Sequence, residues 1–282
     1  MMKSSTQIKA LIRNLAKEKE INAQILLRNY MLERLLERIS ISEYKDNFIL
    51  KGGMLVAALV GVDMRSTIDM DATIKSFPMN QESIEAVCKV ILDMPIDDGV
   101  EMTLKRIDEI QDEDQYSGFR VSIEAVMDNA RVPIKVDITT GDEITPKEVI
   151  YTFDLLLENR SIDILAYNIE TVIAEKIETI LTRNITNTRM RDFYDIYILV
   201  KLQGYRIERE LLGEAVRKTA EKRGSVSVLP DGQAILEEVR LDKGLERHWL
   251  NYQRKNSYAD DITWEDINTS LINLWNAIQA NL

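Results

Sequence analysis

Cysteine and histidine are almost missing from this 282-residue chain, which holds one of each, Cys88 and His248. A single cysteine excludes an intrachain disulfide and a cysteine-built zinc site. A single imidazole excludes a histidine-rich metal site, and any Ser-His-Asp triad would have to form around His248. The segment Leu245 to Gln253 around it reads as a polar helix, which gives His248 a structural or surface role. Long apolar runs are missing too: none approaches the roughly 18 residues that a membrane helix needs. Residues 1–20 turn charged and helix-periodic at once, without the apolar stretch of a secretory signal, so a cytoplasmic location is expected. Positive charge is in deficit, with 36 basic against 47 acidic residues and a net charge of −11. That balance excludes a whole-protein basic footprint for nucleic acid, though not a local patch.

What remains is an ordinary soluble composition, 45% hydrophobic and 29% charged. Residues 6–40 carry Leu11, Leu15, Ile25, Leu26, Tyr30, Leu32, Leu35, Leu36 and Ile39 at helical intervals. The apolar run Phe48-Ile49-Leu50 meets Lys51-Gly52-Gly53, and a short apolar helix from Met54 to Val60 ends at Gly61. Residues 66–75 alternate as a strand does, with Ile68, Met70, Ala72 and Ile74 on one side and Thr67, Asp69, Asp71 and Thr73 on the other. A helix over 81–92 precedes two β-rich runs, 118–127 and 132–139, whose turn at Asp128 to Arg131 predicts an antiparallel hairpin. Beyond Asp163 the pattern turns helical, over 169–183, 190–203, 207–222 and 261–280, with Asp260 or Asp261 as the last N-cap. There is no internal repeat and no low-complexity linker. The expected organisation is a helical lead-in at 1–46, an α/β (α+β) core at 47–160 and a helical C-terminal domain at 161–282.

Gly52-Gly53 is the only glycine pair in the chain, and it opens a helix. Glycines there let the backbone approach a phosphate, and free N–H groups at a helix start favour an anion. Asp69 and Asp71 share one side of the expected strand, and two adjacent like charges are costly unless a cation joins them. Chance alone supplies about two Asp-x-Asp pairs among 22 aspartates, and Asp112 with Asp114 is another, in an acidic stretch that reads as solvated surface. Context separates the first pair. It follows the glycine-opened helix closely, and a third acid, Asp137, alternates with Val136 and Ile138 in the later β-run. Three carboxylates on neighbouring strands beside a glycine-rich helix start suit Mg²⁺-assisted phosphoryl chemistry. In the helical half, Lys176 stands at the edge of an apolar stripe, and Asp192 and Asp195 share a helix face with Ile196 and Leu199. The pattern admits two readings: a structural ion pair between helices, or a phosphate-binding lysine with a catalytic aspartate.

In order, Lys51-Gly52-Gly53, Arg65 to Asp71, Lys135-Val136-Asp137, Ala174-Glu175-Lys176 and Arg191-Asp192-Phe193-Tyr194-Asp195 resemble the AbiEii/AbiGii abortive-infection nucleotidyltransferases. These are toxin components of type IV toxin–antitoxin systems, within the DNA-polymerase-β-like nucleotidyltransferase superfamily. The resemblance runs from about residue 20 to about residue 205. It implies a mixed sheet of nucleotidyltransferase type flanked by helices, with a helical C-terminal domain that closes over the NTP. It implies Mg²⁺ or Mn²⁺ on Asp69 and Asp71, to which the strand pattern adds Asp137 as a third metal and catalytic candidate, and essential roles for Lys176 and Asp192. Gly52, Gly53, Lys51, Arg65, Thr67 and Asp195 would meet the nucleotide. Some members add nucleotides to the 3′ end of tRNA, which makes NTP, tRNA and a cognate antitoxin encoded nearby the expected partners. Other acceptors, a protein or a small molecule, stay open, as does a catalytically silent nucleotide-binding module. Many members carry Ser or Thr after the glycine pair, where this chain has Met54, so one hydroxyl for the phosphates is absent. The basic residues from Arg206 to Arg223 alternate with glutamates and read as a mixed solvated face.

Overall fold

The structure, a computed structural model, describes residues 4–111 and 117–282. The Asp112/Asp114 pair lies outside the described residues. The chain divides into two compact units, Met1–Asp142 with Val149–Ala166, and Glu143–Glu148 with Tyr167–Leu282.

The first unit opens with the two expected helices, α1 (Ser5–Glu18) and α2 (Ala23–Ile41). Ser4 starts α1 through a capping box with Gln7, and Asn22 accepts from the Gln24 N–H at the start of α2. Then follow β1 (Phe48–Lys51), α3 (Gly52–Val60), β2 (Met70–Ile74) and α4 (Gln81–Leu92). Five strands complete the unit: β3 (Glu101–Gln111), β4 (Ser117–Met127), β5 (Ala130–Thr140) and then, after a segment of the other unit, β6 (Val149–Asp154), which leads to β7 (Ser161–Ala166). They form one mixed seven-stranded sheet in the order β3-β4-β5-β2-β1-β7-β6. The β4–β5 hairpin is present, with Asp128 at φ 53° in its turn. Along β5 the buried Val132, Ile134, Val136 and Ile138 alternate with more exposed residues, so one face of the sheet is apolar. α2 and α4 pack on that sheet.

α2 departs from a simple amphipathic helix. Its Arg34 and Arg38 are 0% and 3% exposed. Arg34 pairs with Glu33 and Glu37 at 2.7 Å and with Glu158 at 2.9 Å, while Arg38 meets Asp98 at 2.7 Å. Such buried charges are tolerable because each finds opposite charge and hydrogen bonds.

The strand expected over 66–75 is shorter: β2 begins at Met70, so Asp69 lies in the bend before it. The cause is local. The buried Thr67 hydroxyl donates to the Asp69 backbone oxygen at 3.1 Å and to Asp69 Oδ1 at 3.2 Å, a side-chain turn that competes with the ladder. Ile68, expected on the inner side, is 46% exposed as a result.

The second unit is helical: α5 (Ile169–Arg183), α6 (Met190–Gln203), α7 (Arg209–Arg223), α8 (Gly232–Leu241), α9 (Lys243–Gln253) and α10 (Trp264–Ile278). α10 packs on α6, α7 and α8, and α5 on α6 and α7. Its aromatic core joins Phe193 to Trp264 at 5.3 Å and Trp249 to Tyr252 at 5.4 Å between ring centroids. α10 is capped by Thr263, in a capping box with Asp266, rather than by Asp260 or Asp261. Those two aspartates fall earlier, Asp260 following the 3₁₀ turn Ser257–Ala259. No helix among the described residues is long and apolar enough to cross a membrane.

Candidate active site

β1 runs directly into α3, and the glycine pair forms the junction. Gly52 adopts φ +64°, and a Cβ there would lie 2.0 Å from Asp71 Oδ2. At Gly53 a Cβ would lie 2.8 Å from Thr67 Oγ1. Both positions are therefore glycine for want of space, and at Gly52 the backbone conformation adds a second reason. The Gly53 N–H points at Asp71 Oδ2, at the long distance of 3.4 Å, and no side chain of Lys51 caps the helix start. Gly52→Ala is expected to destabilise the fold by about 1–3 kcal/mol through the left-handed backbone alone, and to displace Asp71 as well. Chemical denaturation measures the first effect and divalent-cation affinity the second.

Strand register assembles the rest. Lys51 on β1 is opposite Asp71 on β2, Asp71 is opposite Asp137 on β5, and Asp137 is opposite Arg120 on β4. One row across four strands thus reads cation, acid, acid, cation. At its ends the cations are engaged. Arg120 binds both oxygens of Asp137, at 2.7 and 2.6 Å. Lys51 Nζ binds Asp142 at 2.5 Å, and the Thr139 hydroxyl donates to Asp142 at 2.8 Å. Burial works against the Asp142 charge, but Lys51 and the threonine hydroxyls hold its pKa down at about 2. Arg65 is 1% exposed and donates to the Ser66 backbone oxygen.

Asp71 is the anomalous member. Burial first, then the neighbouring Asp69, raises its pKa to about 6, against the pull of Lys51. A divalent cation would answer that excess of negative charge, and the donors are hard carboxylate oxygens, as Mg²⁺ and Mn²⁺ prefer. The three acids expected to make one metal set do not gather as a group of three among the described residues. Asp137 stands beside Asp71 in register, but Arg120 takes both its oxygens. The fit is to a cation held by Asp69 and Asp71 with phosphate oxygens completing its shell, which is how Mg²⁺ is commonly held. Protonation of Asp71 competes with the cation, so Mn²⁺ affinity should fall by up to about tenfold per pH unit below about 6. Calorimetric titrations at pH 5 and pH 7.5, on either side of that value, check this.

In the helical unit Lys176 of α5 bonds Asp192 and Asp195 of α6, both at 2.9 Å, and Arg189 meets Asp192 at 3.0 Å. Asp195 is 0% exposed and Asp192 4%. Burial alone would lower the Lys176 pKa, but Asp192 and then Asp195 outweigh it and keep the ammonium charged. The structural ion pair considered from sequence is therefore formed. Arg120 and Asp142 escaped the sequence reading. Alternation along β4, with Arg120 between Phe119 and Val121, was a usable signal for the first, whereas Asp142 follows the strand and carried none.

Comparison with known proteins identifies the family. The model of the family described as nucleotidyl transferase AbiEii toxin, type IV TA system, matches residues 34–270. Among solved structures, MenT4, a nucleotidyltransferase toxin from Mycobacterium tuberculosis H37Rv, is similar with a TM-score of 0.57 at 13% identity, over 97% of this chain and 98% of that one. JHP933 from Helicobacter pylori is similar with a TM-score of 0.50 at 16% identity, over 93% of this chain and 94% of that one. At such identities these two speak for the fold alone. No curated protein sequence matches the chain. With the family match spanning the acids, the glycine turn and the Lys176 ion pair alike, the chain belongs to the AbiEii family of type IV toxin–antitoxin nucleotidyltransferases.

Proposed function

We propose that this nucleotidyltransferase moves a nucleotide from an NTP to the 3′ end of tRNA, using Mg²⁺ or Mn²⁺ held by Asp69 and Asp71. The reading is carried by one observation: a half-buried carboxylate pair, short of positive charge, set against a helix start that only glycine fits. When bound, the cation offsets phosphate charge and orients the triphosphate for in-line attack. Gly52 and Gly53 leave room for the phosphates beside the α3 N-terminus. Thr67 and Arg65 fix the bend that carries Asp69, and Lys51 and Asp137 balance charge along the strand row. In the helical unit Asp192 and Asp195 hold the Lys176 ammonium in place, and the resemblance assigns Lys176 and Asp192 a part in the reaction. The acceptor hydroxyl bonds the α-phosphorus as the bond to pyrophosphate breaks.

The acceptor is taken from the resemblance to toxins that act on tRNA. On that reading the enzyme works in the cytoplasm, blocks tRNA charging as a phage-defence response, and is restrained by an antitoxin encoded nearby. The test is a transfer assay with each α-labelled NTP, Mg²⁺, total tRNA and total soluble protein, beside an Asp69→Ala/Asp71→Ala control. Label on tRNA that the control loses supports the reading. Label on protein instead replaces the acceptor, and no label on either macromolecule removes the tRNA reading altogether.

A further inference from the structure

We propose that the helical unit carries a binding basin for a nucleotide phosphate, built from the start of α6 and one side of α9. The choice of a nucleotide as the phosphate's carrier rests on the transfer reading above. The basin is an open depression of about 480 Å³, lined among others by Arg189, Arg191, Asp192, His248, Tyr252 and Lys255. That volume lies within the range of small-molecule sites.

The charge pattern singles it out. Four basic side chains line this one depression, in a chain whose net charge is −11. Among the described residues Asp192 is the only acid in its wall, and that carboxylate is already taken by Lys176 and Arg189. Arg191, His248 and Lys255 are exposed and make no ion pair among the described residues. On α7, by contrast, basic residues are interleaved with acids, as in the Arg217–Glu221 and Lys218–Glu214 pairs.

The α6 terminus adds an independent argument. Arg189 occupies its N-cap position, where its side chain caps no backbone N–H and reaches Asp192 of the first turn instead, and Arg191 follows in that turn. Positive charge at a helix N-terminus opposes the helix dipole. A sequence selected for helix stability alone would place Ser, Thr, Asp or Asn there. An anion in the basin reverses the sign of that conflict, since it would face the helix N-terminus and the guanidinium groups together. His248, Tyr252 and Lys255 have i, i+4, i+7 spacing, which puts them on the same side as α9 runs into its C-terminal turn. The Tyr252 ring is fixed beforehand by stacking on Trp249 and by its hydroxyl, 2.9 Å from that of Tyr258.

Two sources present this chemistry, the triphosphate of the incoming NTP and the phosphodiester backbone of the RNA acceptor. Binding without transfer separates them. The full chain and an Arg191→Ala/Lys255→Ala variant are titrated with a fluorescein-labelled single-stranded RNA dodecamer, read by anisotropy, and with α,β-methylene NTPs in Mg²⁺, read by calorimetry. The altered side chains are exposed, so an unchanged melting temperature is the control for folding. We expect one affinity to fall by about tenfold or more, and an RNA-specific loss to flatten the salt dependence by about 1.4 in slope. A loss confined to RNA assigns the basin to the acceptor, and a loss confined to the NTP analogues assigns it to the triphosphate. His248→Ala should weaken the same ligand. Affinities unchanged within about twofold, or a parent chain that binds neither probe, overturn the proposal. Because neither titration needs turnover, a basin that binds RNA in a protein that labels no RNA would sink the tRNA-transfer reading and leave the basin standing.

Discussion

Asp71→Asn is expected to lower nucleotidyl transfer by about 10²–10³-fold or more while making the cation-free protein more stable at pH 7.5. The two effects share one cause. In the folded protein the Asp71 pKa is raised to about 6, so over pH 4–6 the native state binds a proton that the unfolded state releases. Stability therefore falls as pH rises through that window, and above it the ionised carboxylate costs about 3 kcal/mol. Asparagine keeps the shape and an oxygen that accepts from the Gly53 N–H, but carries no charge to set against Asp69. A divalent cation relieves the same repulsion, so Mg²⁺ should stabilise the parent chain and leave the variant nearly unmoved. Denaturation of both proteins at pH 7.5, with EDTA and with Mg²⁺, separates these outcomes. A variant less stable than the parent in EDTA would mean that Lys51 and the α3 N-terminus already satisfy Asp71, and the metal assignment would lose its physical basis.

How far the sequence discloses this site depends on what kind of contact makes it. The α4 helix and the β4–β5 hairpin were legible because their periodicity and turn residues are local. The same holds for α5 and α6, whose apolar stripes enter the core of the helical unit. The glycine pair was legible as a special position, yet its reason was not: Gly52 is set against Asp71, nineteen residues on across a strand pair, and Gly53 against Thr67. β3, β6 and β7 were missed, as were the charges buried in α2, whose partners Asp98, Glu158 and Arg160 lie far along the chain. Asp69 shows the limit of alternation as a guide. Its pattern was strand-like, but the Thr67 hydroxyl offered the backbone a competing bond, and the strand starts one residue later. The clamp of Arg120 on Asp137 needs β4–β5 register before it can be seen at all.

Lys176→Ala is expected to destabilise the protein by about 3–5 kcal/mol, enough to obscure any direct effect on catalysis. The loss comes less from the missing bonds than from what stays behind. Asp192 and Asp195 would remain in the interior, at 6% and 0% side-chain exposure, with one neighbouring cation removed from both. Arg189 still reaches Asp192 at 3.0 Å, so that carboxylate keeps a neighbouring cation. If that account is right, removing the charges together is milder than removing one. A Lys176→Met/Asp192→Asn/Asp195→Asn protein should recover more than about half of the single variant's loss, because no buried charge is left without a counterpart. Urea denaturation of the two variants and the parent decides it. Double-mutant cycles then divide the work between the aspartates: strong coupling of Lys176 to Asp195 with weak coupling to Asp192 makes Asp195 the strut and leaves Asp192 available for the reaction. Were Lys176→Ala to cost under about 1 kcal/mol while abolishing transfer, the lysine would be no structural strut, and its charge would belong to the substrate.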